Sequence, residues 1–203
     1  MNIKINALDL EQVKSYEYLG TIISSDGKID AEIKNRTKKA MNIYHTINNT
    51  TIGKKELSQE AKMLIYNSVY VPTLTYGAES WTLTKYQEEK LNMPEMKYLR
   101  KVVGKTRRDK VRNNTIREEV GQTAIQNHIK KKELRWFGHL NRMDENRIPK
   151  KMFEARTEGT RGRGRPRLEW EKYLAEIAKE KGKSLPEVKK LSRDRKEYRK
   201  WTG

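Results

Sequence analysis

The sequence predicts a mainly α-helical protein: a small N-terminal pair of β-strands, then a helical bundle, then a basic helical C-terminal extension. Three observations predict it. Apolar–polar alternation is confined to the opening segment, whereas from residue 29 onward apolar residues recur three and four apart. A long break in that helical pattern falls at residues 156–167, which are rich in Gly and Arg and have almost nothing to bury. The charge is lopsided: residues 1–100 carry 14 Lys and Arg against 12 Asp and Glu, and residues 101–203 carry 31 against 15.

Each element has its own signal. Ile3 and Ile5 alternate with Lys4 and Asn6, and after Val13 a second extended run covers Tyr16–Ser24. Ser25-Asp26-Gly27 closes it, so residues 1–28 read as a strand pair ending in an Asp-Gly turn, with one edge lacking its neighbour. Ile29, Ile33, Ala40, Tyr44 and Ile47 stripe a first helix, and Leu57, Ala61, Leu64, Ile65 and Val69 a second, with a break at Thr51-Ile52-Gly53. Pro72 stops or kinks the second. Residues 84–103 form a third, with Met96, Leu99 and Val103 inward, Gly104 as its C-terminal cap and Pro94 as a kink. A basic connector follows at residues 105–114, then a short helix at 115–121 and a long cationic one at 124–142. Two helices close the chain. Trp170, Tyr173, Leu174 and Ile177 stripe one; Ser184 caps the other, which carries Val188, Leu191, Tyr198 and Trp201.

Composition narrows the function. The net charge is +18, and charged residues make up 35% of the chain against 34% hydrophobic. Globular chains average about 25% and about 45–50%, so the core is thin and the surface strongly cationic. That balance favours a polyanionic partner over mere solubility. The absence of cysteine excludes disulfides, thiolate zinc sites and cysteine nucleophiles, and it fits an intracellular protein. No apolar run is long enough to span a membrane, and residues 1–20 carry no secretory signal.

The cationic helix contains Lys132-Glu133-Leu134-Arg135-Trp136-Phe137-Gly138-His139-Leu140-Asn141-Arg142-Met143, and beyond it lies Arg161-Gly162-Arg163-Gly164-Arg165-Pro166-Arg167. Arginines neutralise phosphates, and exposed rings stack on bases, so the pair of segments suits a nucleic acid. Adjacent residues on a helix point about 100° apart, so Trp136 and Phe137 cannot face one core; Phe137 is expected inside and Trp136 is the candidate stacker. Phosphate contacts are expected from Lys101, Lys105, Arg107, Arg108, Lys110 and Arg112, from Lys130, Lys131, Lys132, Arg135, His139 and Arg142, and from Arg161, Arg163, Arg165 and Arg167. Arg163-Gly164-Arg165-Pro166 also resembles the core of an AT-hook, which lies extended in a narrow A·T minor groove. Generic phosphate contact is the broader reading of those four residues. His139, Asp144 and Glu145 lack a third ligand at helical spacing, so no metal site is expected there. His45 and His128 read as packing residues.

In chain order, these marks form a recognisable set. Tyr18-Leu19-Gly20 with Asp26-Gly27 comes first, then Tyr66, Pro72, Leu74, Tyr76-Gly77, Glu79 and Trp81. Arg108-Asp109-Lys110-Val111-Arg112-Asn113 follows, then Leu134-Arg135-Trp136 with Gly138-His139 and Arg142-Met143, Gly164-Arg165-Pro166 with Trp170, and Asp194-Arg195 with Arg199. Across nearly the whole chain this resembles the C-terminal portion of reverse transcriptases from non-LTR (LINE-like) retrotransposons, also called endonuclease-reverse transcriptases. Tyr198 stands where that family commonly has tryptophan, and the Cys/His zinc knuckle of some branches is absent.

The resemblance implies a division into an end-of-palm strand pair (1–28), a helical thumb-like domain (29–104), a basic connector with the cationic helix (105–155), an Arg/Gly-rich linker (156–167) and a C-terminal helical pair (168–203). It implies that the parent is an RNA-directed DNA polymerase with an endonuclease, and that this portion clamps template–primer or target nucleic acid. Its partners would be RNA, DNA or their hybrid and the upstream palm, in the nucleus and not at a membrane. Polymerase chemistry needs paired carboxylates holding divalent ions. Asp9, Asp26, Asp30, Asp109, Asp144 and Asp194 include no adjacent pair. Magnesium is therefore expected only in the palm, whose end should lie just upstream of Met1; this chain is expected to need no cofactor and to have no catalytic residue or activity alone. Two other readings are an AT-hook-like, free-standing DNA-binding architectural protein and a non-functional relic of a transposable element.

Overall fold

A computed structural model describes residues 4–5, 8–155 and 169–203. Among them it is mainly helical, with short antiparallel strands at the start, as the periodicity predicts. The chain divides into two compact units. The first runs to Tyr76 and includes Glu89–Ile116; the second comprises Gly77–Glu88 and Arg117–Gly203.

In the first unit, β1 (Lys4–Ile5) pairs with β2 (Leu8–Asp9), and β3 (Ser15–Tyr18) pairs with β4 (Thr21–Ser24). This corrects the expected pairing. The run at residues 16–24 folds back on itself, with Tyr18 opposite Thr21, and the Asp26-Gly27 turn leads into helix α1 instead. The two-residue turn is Leu19-Gly20, with φ of 48° and 78°, the left-handed pair whose twist matches that of a hairpin.

Helix α1 (Asp30–Ile47) anchors this hairpin through a buried ion pair. Glu32 accepts from the Arg36 guanidinium and, at 2.7 Å, from the Ile22 amide; Arg36 also donates to the Gly20 carbonyl. The Arg36 guanidinium sits 4.5 Å from the Tyr76 ring centroid, and the Tyr76 hydroxyl donates to the Leu19 carbonyl at 3.2 Å. Glu32 and Arg36 are 1% and 5% exposed, so each charge depends on the other and on these backbone groups.

Helix α2 (Gln59–Ile65), capped by Ser58, continues through one wide π-type turn at Tyr66–Tyr70 into α3 (Val71–Leu74). Pro72 falls at the start of α3, where its missing N–H costs little, and the wide turn before it re-routes the backbone. The buried face is Met63, Tyr66, Tyr70 and Leu74. Leu57, Leu64 and Val69 of the expected stripe are 37%, 68% and 44% exposed. The buried face keeps helical spacing but is rotated from the apolar stripe, and tyrosine takes the inner positions because each hydroxyl finds an acceptor. Tyr70 donates to the Pro94 carbonyl at 2.8 Å and Tyr98 to the Lys62 carbonyl at 2.9 Å. The Tyr70 and Tyr98 ring centroids are 4.7 Å apart, within the range of favourable aromatic pairs. Burial pushes both phenols up. Helix α4 (Lys85–Val102) supplies Leu91, Met96, Tyr98 and Leu99 to buried positions and is capped by Gly104 at φ 68°. His45 is exposed rather than packed, its ring set edge-on to that of Tyr44.

Helix α5 (Asn113–Glu119) precedes α6 (Ile125–Arg142), which organises the second unit. Ile125, Ile129, Leu134, Phe137 and Leu140 of α6 are buried, as are Trp81, Leu83, Tyr173, Leu174, Ile177 and Val188. Phe137 is fully buried and Trp136 only half-buried, as their 100° separation requires. Helix α7 (Ile148–Glu154), not legible in the sequence, brings Phe153 into an edge-on cluster with Phe137 and Trp170 at 5.9 and 5.6 Å. The closing stretch forms three helices rather than two: α8 (Trp170–Glu180), α9 (Leu185–Leu191) and α10 (Arg195–Thr202). Asp194 causes the extra break. Its carboxylate accepts from the Lys196 and Glu197 amides and so starts a new helix where the apolar stripe had suggested continuity. Among the described residues no helix is long and apolar enough to cross a membrane.

Candidate nucleic-acid interface

The packing of α10 against α6 creates the main candidate site. Tyr198 is buried, and its hydroxyl donates to the Leu134 carbonyl at 2.6 Å. Its ring covers Gly138 so closely that a Cβ there would lie 2.3 Å from Cε1. Glycine in mid-helix costs about 1 kcal/mol against alanine, so this position gives up helix propensity to let a ring lie on the backbone. Burial pushes the Tyr198 phenol up, the Arg142 charge opposing it.

Seated this way, the two helices line a cleft of about 550 Å³ with Arg135, His139 and Arg142 from α6 and Arg195, Tyr198, Arg199 and Thr202 from α10. On α6 the basic residues lie four and three apart, on one face; on α10 the two arginines are four apart. Backbone carbonyls hold two of the guanidinium groups. Arg142 donates to the Ser192 carbonyl at 2.6 Å and Arg135 to that of Gly203 at 3.3 Å. Among the described residues no carboxylate lines the cleft. The carboxylates of α10 are engaged elsewhere: Asp194 caps the helix, and Glu197 pairs with Lys200 at 2.8 Å. Four arginines lining one cleft with no side-chain carboxylate in that lining make a site for an anion, and guanidinium forks suit phosphate geometry.

Beside this cleft lies a shallower hollow of about 280 Å³, lined by Glu79, Lys132, Arg135, Trp136 and His139. Arg135 and His139 belong to both. The Trp136 and His139 rings are 5.3 Å apart at 38° and form an aromatic shelf.

The first unit carries a separate basic loop, residues 103–112, between α4 and α5. Arg100 holds it with one guanidinium, donating to the carbonyls of Thr106 at 3.2 Å and Val111 at 2.6 Å and to the Asn113 side chain at 2.9 Å. Asp109 accepts from the Thr106 amide and hydroxyl at 2.5 and 2.8 Å, and these bonds hold its carboxyl below the usual range. Lys110 adopts a left-handed φ of 53°. Lys101, Lys105, Arg107, Arg108, Lys110 and Arg112 are all exposed on this loop and the helix before it.

The sequence-predicted contacts therefore fall into distinct sets. Arg135, Trp136, His139 and Arg142 come together at the α6 surface, while Lys101–Arg112 forms the loop set. Lys130 and Lys132 are turned to carboxylates, Glu180 at 2.5 Å and Glu79 at 3.9 Å, and Lys131 is half-buried. Arg161, Arg163, Arg165 and Arg167, with the linker containing them, lie outside the described residues. Arg195 and Arg199, which line the cleft, and Arg100, which organises the loop, are not among the sequence-predicted contacts; the four-residue spacing of the first two is the available signal. His128 is half-buried, its imidazole pushed down by burial and by Lys131 and Lys132. Buried Glu133 is pushed up to about 9, so it sits neutral inside α6 and adds no negative charge to this helix at neutral pH. Among the described residues no group of three His, Asp or Glu side chains is placed to hold a metal.

No protein-family model matches the chain, and no solved structure does. The chain is similar to an uncharacterized transposon-derived protein of Caenorhabditis elegans, with 27% identity over 197 residues that span 93% of this chain and 70% of the relative.

Proposed function

We propose that this chain is the nucleic-acid-holding C-terminal portion of a retrotransposon reverse transcriptase of the non-LTR type, clamping template–primer or target nucleic acid beside a palm that carries the chemistry. The α6–α10 arginine cleft carries the reading: a concave, cationic surface with no described carboxylate in its lining. The ordered basic loop at residues 103–112 adds a second phosphate-binding surface. The similarity to a transposon-derived protein supports a mobile-element origin, and the ordered motif set from Tyr18 to Arg199 supports the reverse-transcriptase assignment. On this reading the palm supplies the carboxylates and magnesium, this chain binds without catalysing, and it acts in the nucleus.

The test is a titration of the purified chain against RNA–DNA hybrid, duplex DNA and single strands at several salt concentrations. Binding should weaken steeply with salt, by a slope of about −0.9 per neutralised phosphate on duplex DNA. The double variant R195A/R199A should flatten that slope by about 1 to 2. Weak binding with no salt dependence overturns the reading. A broad, non-cooperative thermal melt would favour the relic instead, although the closed cores around Tyr70 and Phe137 support a folded unit.

A further inference from the structure

The geometry points to a single-strand reader at the α6–α10 site: the arginine cleft takes a backbone phosphate, and the Trp136–His139 shelf takes the unpaired base beside it. This rests on the nucleic-acid reading above and adds which form of nucleic acid the site distinguishes.

Three observations carry it. The cleft and the hollow are contiguous, because Arg135 and His139 line both. They differ in chemistry. The cleft presents four arginines, whereas the hollow, which shares Arg135, presents an indole and an imidazole with the Glu79 carboxylate paired to Lys132 at 3.9 Å. The denser positive charge therefore lies on the Arg195–Arg199 side and the aromatic surface on the Trp136 side, which orients a bound nucleotide with its phosphate on the first and its base on the second. Finally, the shelf lies on the helix surface and is half-open, so a ring can lie on it only if its own face is free. Bases in a continuous duplex are covered on both faces by their neighbours. A strand end, an overhang or a single strand offers a free face, and base–aromatic stacking rewards it without regard to sequence.

Chemistry separates the two halves of the site. Losing the shelf removes a stacking contribution and leaves phosphate neutralisation intact. Losing the arginines weakens every nucleic acid alike.

The experiment measures binding of the full chain to a single-stranded oligonucleotide, to the same length of abasic strand, and to a closed circular duplex, which has no strand end. DNA and RNA versions separate the two sugars, and a 5′-phosphorylated version separates a terminal from an internal phosphate. The wild type should bind the base-bearing strand about tenfold tighter than the abasic one. W136A should erase that difference, and W136F should restore most of it, whereas R195A/R199A should keep the ratio. R195A/R199A should lower affinity for all ligands. If abasic and base-bearing strands bind equally, or if folded W136A keeps the wild-type ratio, the single-strand inference is overturned while the phosphate-binding function stands. If no ligand binds with salt dependence, the proposed function itself falls.

Discussion

The ring of Tyr198 lies on the backbone of α6 at Gly138, so tightly that a methyl group at residue 138 would sit 2.3 Å from its Cε1. That contact sets where α10 lies on α6, and therefore how Arg195 and Arg199 face Arg135 and Arg142. The adjacent Gly138-His139 motif reads as one device, in which the glycine admits the tyrosine and the histidine lines the cleft.

G138A should destabilise the protein by about 1–3 kcal/mol, because overpacking a buried ring outweighs the roughly 1 kcal/mol that alanine returns in helix propensity. Denaturant melts of wild type and variant measure the difference. An increase in stability would mean that α10 shifts freely on α6.

Leu19 occupies the first left-handed position of the hairpin turn at φ 48° and is 75% exposed. Asparagine tolerates that conformation far better than leucine, and no core contact is lost. L19N should therefore raise stability by about 0.5–1 kcal/mol in a thermal melt.

Glu133 is fully buried, its carboxyl raised from 4.5 to about 9, mainly by burial and further by Glu88 and Glu79 against the opposing Lys130. Between those two values the folded state holds a proton that the unfolded state has released. This group's contribution to stability is thus complete below about pH 4.5 and is lost as pH rises toward 9, at up to about 1.4 kcal/mol per pH unit. E133Q removes the titration. Wild-type stability should fall relative to E133Q across that window in denaturation at several pH values, and parallel profiles would refute the assignment.

Arg100 holds the basic loop by three hydrogen bonds, so R100A should free Arg107 and Arg108 for trypsin. Each lost charge-assisted bond weakens the closed form, and initial cleavage at the loop should rise about tenfold while cleavage at the chain's other sites keeps its wild-type rate. An unchanged cleavage rate would mean that the Asp109 turn orders the loop by itself.

Local pattern was legible where one face of a helix decides everything. α1, α4 and α6 fell where their apolar spacing put them, and Phe137 turned inward beside an outward Trp136. It failed where a polar group supplied the decisive bond. The Tyr66–Tyr70 face buries two hydroxyl-bearing rings beside that of Tyr98, which no apolar stripe announces. Asp194 splits a helix by capping, and Leu19-Gly20 turns a run that alternation alone reads as one strand.

By itself, the sequence determined the helical class, the concentration of positive charge in the second half, the lack of any thiol chemistry and the presence of an aromatic pair on a cationic helix. These properties depend on composition and on spacing along the chain, which need no distant partner. Only the tertiary structure decided which charges are available. It turned Lys130 and Lys132 toward carboxylates, buried Glu133 in neutral form, and brought Arg195 and Arg199 across from Arg135 and Arg142, residues more than fifty positions away. The physical reason is that charge–charge energies depend on separation in space and on burial, which are set by packing between residues distant in sequence, as Tyr198 against Gly138 sets them for the cleft arginines.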